Sequence, residues 1–378
     1  MTASTYEGYD IIGDVHGCAD QLEELLAAMD YRRAGTGGEY RHERRQAIFV
    51  GDLIDRGTQQ LETLRLVKQM VDAGSAQIVM GNHEFNALAY HTEWPTGSGK
   101  FLRPHDDPED DRSAKNVRQH EAFLKQVTGA DRDEYLEWFA TLPLWLDLGG
   151  LRVVHACWHD DSMAVVEQRC GSNTPFANVE HLVAASDPHD DLYEAVETLL
   201  KGPEISLVQH HQQPYRDKDG HERKSARLQW WNSAGHTLRD LAEMGGNFTT
   251  MSGEQYPPLP ELEVEATERT YTYTGQVPVF YGHYWRQSRP DRSRLDRLHR
   301  VRRLQRGEGR DLGRVPVVGR GAGARGELPQ RGWLLTPMSS LTPIAHANAS
   351  CYMGSVSPYR PTPIEVPGHG WIYAKRWL

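Results

Sequence analysis

Three short runs concentrate side chains suited to binding divalent cations. They are Gly13-Asp14-Val15-His16-Gly17, Gly51-Asp52-Leu53-Ile54-Asp55-Arg56-Gly57 and Gly81-Asn82-His83-Glu84. Carboxylate, imidazole and amide oxygen without thiolate favour Mn, Fe or Zn over a soft-metal site. Any one run alone reads equally well as a polar turn; the three together describe a dinuclear metal site. The chemistry of such a site is hydrolysis at phosphorus, in which two cations neutralise the phosphoryl oxygens and activate water between them. Two further histidines close apolar runs: His155 follows Leu151-Arg152-Val153-Val154, and His283 follows Val279-Phe280-Tyr281-Gly282.

The elements needed to position these residues are legible. Each of the three runs follows a short apolar stretch, residues 9–12, 47–50 and 77–80, and the first two precede helical patterns. Leu22, Leu25, Leu26 and Met29 recur at helical spacing, as do Leu61, Leu64, Val67 and Val71, and a third helix is expected from Glu84. Strands alternating with helices predict an α/β fold in which ligands gather at the carboxyl ends of neighbouring strands. Residues 91–142 and 160–275 break the alternation and are expected to be insertions, the latter mainly helical to about residue 250. Strands resume at 144–148 and 151–155 across Gly149-Gly150, and at 277–281.

The chain has 378 residues, of which 38% are hydrophobic and 25% charged, and a net charge of −10. Residues 1–285 carry −21, which tells against general binding to nucleic acid. No apolar run is long enough for a membrane span, and the polar start is unlike a secretion signal. The four cysteines show no C-x-x-C pair, so the expected compartment is reducing, with the cytoplasm as the address. Cys18 and Cys157 are read as small buried residues, and Trp230-Trp231 as a hydrophobic anchor. His91, His105, His120, His210 and His211 are read as solvated or cap residues.

The motifs G-D-x-H-G, G-D-x-x-D-R-G and G-N-H-E, intact and in order, resemble the calcineurin-like metallophosphoesterase superfamily, and within it the phosphoprotein-phosphatase branch. The likeness is strong over residues 9–90 and continues in shorter motifs at 144–160 and 277–285; bacterial serine/threonine phosphatases and diadenosine-tetraphosphatase-like enzymes are the members most similar. It implies a four-layer αββα sandwich with helical insertions, over residues 1–285. It also implies two divalent metal ions, with Mn²⁺ expected and Fe or Zn as alternatives. Asp14 and His16 would hold one ion, Asp52 would bridge, and Asn82, His155 and His283 would hold the other. His83 would be the general acid, oriented by Asp55, and Arg56 would bind phosphate. His155 is preferred over His159 because it ends the apolar run directly; Cys157 stands where the family commonly has glycine. The implied reaction is attack of a metal-bridging hydroxide on a phosphate ester of phosphoserine or phosphothreonine in protein, or on a nucleotide polyphosphate anhydride. A non-catalytic scaffold and a nucleic-acid or cyclic-nucleotide phosphodiesterase are the alternatives.

Residues 286–331 change character, with 14 Arg and a net charge of +9. That composition predicts disorder. The loss of apolar alternation after Trp285 also suits a GC-rich gene read out of frame, so 286–378 is expected to be an atypical segment without strands. An alternating apolar segment in another frame of the gene from codon 280 onward would be the signature.

Overall fold

The run Gly8–Ile12 forms β1, and its side chains part to opposite faces as strand geometry requires. In this computed structural model the described residues are 6–284, apart from 108, 218–219, 245–247 and 270, together with the backbone of 344–346, 362–366 and 370–374. Among the principal strands, β2 is Arg45–Phe49, β3 is Ala76–Ile78, β4 is Trp145–Asp147, β5 is Arg152–Val154 and β6 is Val279–Tyr281. Three more, β7 (Ile344–His346), β8 (Thr362–Val366) and β9 (Gly370–Ala374), follow in the C-terminal stretch.

These strands make two sheets, ordered β8-β9-β1-β2-β3 and β7-β6-β5-β4. The first is parallel from β9 to β3, with β1 and β2 in register Gly8↔Arg45 through Ile12↔Phe49. In the second, β4 and β5 form an antiparallel hairpin and β5, β6 and β7 run parallel. Ile11, Ile48, Val50 and Val79 of one sheet cluster with Leu151, Val153 and Phe280 of the other, so the sheets pack face to face. Their neighbours Ile12, Ala47, Phe49 and Ile78 turn outward to pack with helix residues such as Leu22, Leu26, Leu64 and Val67. This is the αββα arrangement expected.

Helix α1 (Ala19–Ala28) follows β1, α2 (Gln60–Asp72) follows β2, and α3 (Asn82–His91) follows β3. On α2 the buried stripe is Leu64, Leu66, Val67 and Met70, one step round from the face read from Leu61 and Val71. The first insertion holds α4 (Asp111–Gln126) and α5 (Gly129–Ala140). The second is mainly helical as far as Lys201, through α6 (Asp160–Cys170), α7 (Val179–Ala184) and α8 (Asp191–Lys201), with one further short helix at Leu238–Leu241. Beyond Lys201, contrary to expectation, Glu204–Ser206, Ser225–Leu228 and Ala242–Glu243 form a small antiparallel sheet around Ile205, Leu207, Ala226 and Leu228. Trp230 anchors this part: it is fully buried, its indole N–H donates to the Ala156 carbonyl, and its ring lies against Tyr281 of β6.

The expectation of a strandless C-terminal segment fails at 344–346, 362–366 and 370–374. Sequence runs such as Thr362-Pro-Ile-Glu-Val366 and Gly370-Trp-Ile-Tyr-Ala374 are rich in β-branched and aromatic residues, which suit pleated pairing. The Arg-rich stretch 286–331 lies outside the described residues. Among the described residues no helix is long and apolar enough to cross a membrane.

Candidate metal centre and active site

The loops after β1 and β2 are stitched together by their backbones. Val15 and His16 N–H both donate to the Asp52 carbonyl at 3.0 and 2.9 Å, and Gly17 N–H donates to Leu53 at 2.7 Å. The loop after β3 joins them through Glu84, the third residue of α3. Its buried carboxylate accepts from the N–H groups of Asp52 (2.8 Å), Leu53 (2.7 Å) and Gly81 (3.0 Å). One side chain therefore caps a helix and fixes two loops. Gly51 and Gly81 meet so closely that a Cβ on either would collide with the other loop's backbone. Burial and the neighbouring Asp52 charge push the Glu84 carboxyl up to about 7.

Backbone strain is concentrated here. Among the described residues seven non-glycines have left-handed φ, and His16, Asp52, Asp55, Arg56 and His283 are five of them. Each costs roughly 1–3 kcal/mol and persists only where surrounding structure enforces it, as at functional sites.

Asp52 lies at the middle. One oxygen, Oδ1, is 3.4 Å from His155 Nε2; the other, Oδ2, is 3.8 Å from both His16 Nε2 and His83 Nε2. Two groups of three potential ligands result, His16–Asp52–His83 and Asp52–His155–His283, and Asp52 belongs to both. Asn82 Oδ1 lies 3.1 Å from His155 Nε2 and 2.7 Å from His283 Nδ1. Asp14 is in neither group; its carboxylate accepts the His283 N–H at 3.1–3.2 Å, with Gly282 leaving room for it. Burial and then the Asp52 charge raise the Asp14 carboxyl well above its usual range.

The donor set suits cations. His155 Nδ1 is 2.6 Å from the Val50 carbonyl and His16 Nδ1 is 2.7 Å from that of Ile54, so in each ring Nδ1 carries the proton. Burial lowers the pKa of both, in His16 to about 3, which leaves Nε2 as a bare lone pair. For His155 that lone pair faces two acceptor oxygens, Asn82 Oδ1 and Asp52 Oδ1. A positive ion among them satisfies all three, and the backbone carbonyls set the tautomer as in known histidine–metal sites.

His83 is differently placed. Its N–H donates to Asp52 Oδ1 at 3.0 Å, and its Nδ1 is 2.6 Å from Asp55 Oδ2. Burial alone would lower its pKa, but the charges of Asp52 and Asp55 outweigh it and raise the pKa. Arg56 is exposed and, among the described residues, has no ion-pair partner.

Some residues lie where their sequence context does not place them. His120, read as a solvated or cap residue, is buried on α4, and its Nδ1 is 3.0 Å from Asp55 Oδ1. Asp55 thus sits between two imidazoles, and its backbone N–H is held by Gln60 Oε1 at 2.8 Å. Burial would raise the Asp55 carboxyl, yet the hydrogen bonds from His120 and His83 prevail and hold it down at about 2. Glu84, the last residue of the third motif, holds the loops together, and its place three residues after the helix-capping glycine is the sequence signal for that role. His159 caps α6 by accepting the Ser162 N–H, away from the ligand groups. Cys157 is buried and free, and burial pushes its thiol pKa up, as expected of a packing residue.

The family model for calcineurin-like phosphoesterases matches residues 9–240. Among curated relatives, the asymmetrical bis(5'-nucleosyl)-tetraphosphatase PrpE of Oceanobacillus iheyensis is 32% identical over 148 residues, 39% of this chain and 54% of its own length. A symmetrical bis(5'-nucleosyl)-tetraphosphatase of Psychromonas ingrahamii is 34% identical over 135 residues, 36% of this chain and 38% of its own. The chain thus spans about half or less of the length of these relatives. A solved metallophosphoesterase from Sphaerobacter thermophilus is 22% identical, with a TM-score of 0.26, over 39% of this chain and 46% of that one. Because the family model spans more than half of its residues, the chain belongs to the calcineurin-like phosphoesterase family.

Proposed function

We propose that the chain is a hydrolase of phosphoanhydride or phosphoester bonds that works with two divalent ions, Mn²⁺ foremost, and that nucleotide polyphosphates are its substrates. The observation that carries the reading is the pair of ligand groups sharing Asp52. Two neighbouring cations repel, and a shared carboxylate offsets that repulsion. Asp14 and His16 would hold one ion, and Asn82, His155 and His283 the other. When bound, the ions supply Lewis-acid neutralisation of phosphoryl oxygens and water activation at neutral pH. Preference for nucleotide substrates draws on the tetraphosphatase names of the relatives, and is a proposal for this chain.

The protein's own groups supply the remainder. His83, kept protonated by Asp52 and Asp55, donates its proton to the leaving oxygen. Asp55 aims the imidazole, and His120 aims Asp55. Arg56, with its charge free at the rim, clamps non-bridging oxygens with a planar fork.

Mn²⁺-loaded protein assayed on diadenosine tetraphosphate, a phosphoserine peptide and p-nitrophenyl phosphate tests this. The proposal expects the highest kcat/KM on the dinucleotide. A higher value on the peptide would overturn the substrate, and bound metal without turnover of any of them would favour a scaffold.

A further inference from the structure

Arg103 lies between α3 and α4, outside the three motifs. Its guanidinium donates to Asn86 Oδ1 at 3.0 Å and to Gln119 Oε1 at 2.8 Å. Both partners are neutral amides, and among the described residues no carboxylate pairs with it. The arrangement holds the charge in place without a direct ion pair; Asp55 and Glu197 act on it only at longer range. Of the five N–H donors of a guanidinium, three remain for another ligand.

Its place relative to the metal centre follows from helix geometry. Asn86 stands four residues after Asn82 and three after His83, hence on the same face of α3 about one turn, or about 5.4 Å, along. Arg103 is anchored there, close enough to Asp55 for that carboxylate to oppose the lowering of its pKa by burial. Lys115 stands four residues before Gln119 on α4, so it shares the face that touches Arg103. Lys115 is half-buried and has no ion pair among the described residues; burial and then the charges of Arg223 and Arg103 lower its pKa, with Asp217 opposing. Arg223 is paired with Asp217 and Lys201 with Glu197, which leaves Arg103 and Lys115 as the two cations of this face without a direct ion pair among the described residues. An anion between them would pair with both.

We propose that Arg103 and Lys115 form a second phosphate subsite beside the metal centre, which receives the phosphate next to the one that reacts. This rests on the reading of the chain as a polyphosphate hydrolase. It gives the first insertion a role in substrate choice: a monoester reaches the metals alone, whereas a polyphosphate also reaches Arg103.

The test uses the Mn²⁺-loaded full chain and two readouts. One is kcat/KM on diadenosine tetraphosphate against p-nitrophenyl phosphate. The other is inhibition of p-nitrophenyl phosphate turnover by ADP against AMP, which differ by one phosphate. Arg103→Gln is expected to lose at least about tenfold more on the dinucleotide than on the monoester, as for loss of a charged hydrogen bond. It should also abolish a wild-type preference for ADP. Arg103→Lys, which keeps the charge but loses the planar fork that spans both amides and a phosphate, should fall in the same sense. Lys115→Gln, a half-buried site with little risk to folding, should show a smaller shift of the same sign. Equal losses on both substrates, or an ADP preference that survives Arg103→Gln, would overturn the subsite. Wild-type turnover of p-nitrophenyl phosphate without turnover of the dinucleotide would sink the substrate reading instead, and the ADP–AMP comparison would still decide the subsite.

Discussion

Replacing Asp55 by asparagine isolates the acid role of His83. The side chain keeps its size, so packing changes little, but the charge on the 2.6 Å contact to His83 Nδ1 and the 3.0 Å contact to His120 is lost. A hydrogen bond to a charged partner contributes about 1.5–3 kcal/mol, and about 1.4 kcal/mol corresponds to tenfold in rate or one pKa unit. The expected loss in kcat/KM at neutral pH is therefore roughly 10- to 100-fold on a substrate with a poor leaving group. Because His83 acts protonated and its pKa is raised by Asp52 and Asp55, activity falls as pH rises through that pKa. Asp55→Asn should move this descending limb toward lower pH, because one of the two charges that raise the His83 pKa is removed. The assay is a pH profile of kcat/KM for p-nitrophenyl phosphate beside an alkyl phosphate. p-Nitrophenolate leaves with little help, so its loss should be much the smaller. Equal losses for both esters, with an unmoved descending limb, would refute proton donation by His83.

Four further outcomes follow from the same geometry. His83→Asn should keep its metals, measured by elemental analysis, while kcat falls at least about 10²-fold. His120→Asn should stay active with a several-fold lower kcat and unchanged metal content, and lose about 1–3 kcal/mol of stability in denaturant unfolding, since the buried Asp55 loses a donor. The Asp55 pKa, held at about 2 in the folded chain, lies below its unfolded value; metal-free protein should keep that stability above about pH 4 and lose on the order of 2 kcal/mol as pH falls through about 2. Comparing unfolding of wild type and Asp55→Asn at the two pH values checks the sign. Asp52→Asn should bind fewer than two metals and lose activity by at least about 10²-fold, because both ligand groups lose their common member.

Much of this site was legible because its information is local. Each motif pairs an apolar strand with a ligand-bearing loop, so Asp14, Asp52 and His83 could be placed at one sheet edge from spacing alone. His155 was separable from His159 because it directly ends the apolar run, whereas His159 lies within reach of a helix start. His120 was not legible: it is 65 residues from Asp55, on a polar helix, and nothing in its neighbours marks the face that turns inward. Arg103 was hidden for the same reason, its partners being an amide on α3 and another on α4. The small sheet at 204–243 was misread because strands of two to four residues, flanked by charged side chains, leave no sustained period of two. The C-terminal strands were missed because the Arg-rich composition before them dominated the reading of the whole stretch.

The proposed reaction depends on a pair of metal ions joined by Asp52. Elemental analysis of Mn²⁺-loaded protein, coupled to p-nitrophenyl phosphate turnover before and after chelation, measures it directly. Two ions per chain are expected, with turnover lost on adding the chelator and recovered on adding Mn²⁺. A single ion per chain with full activity, or turnover indifferent to the chelator, would contradict this proposal.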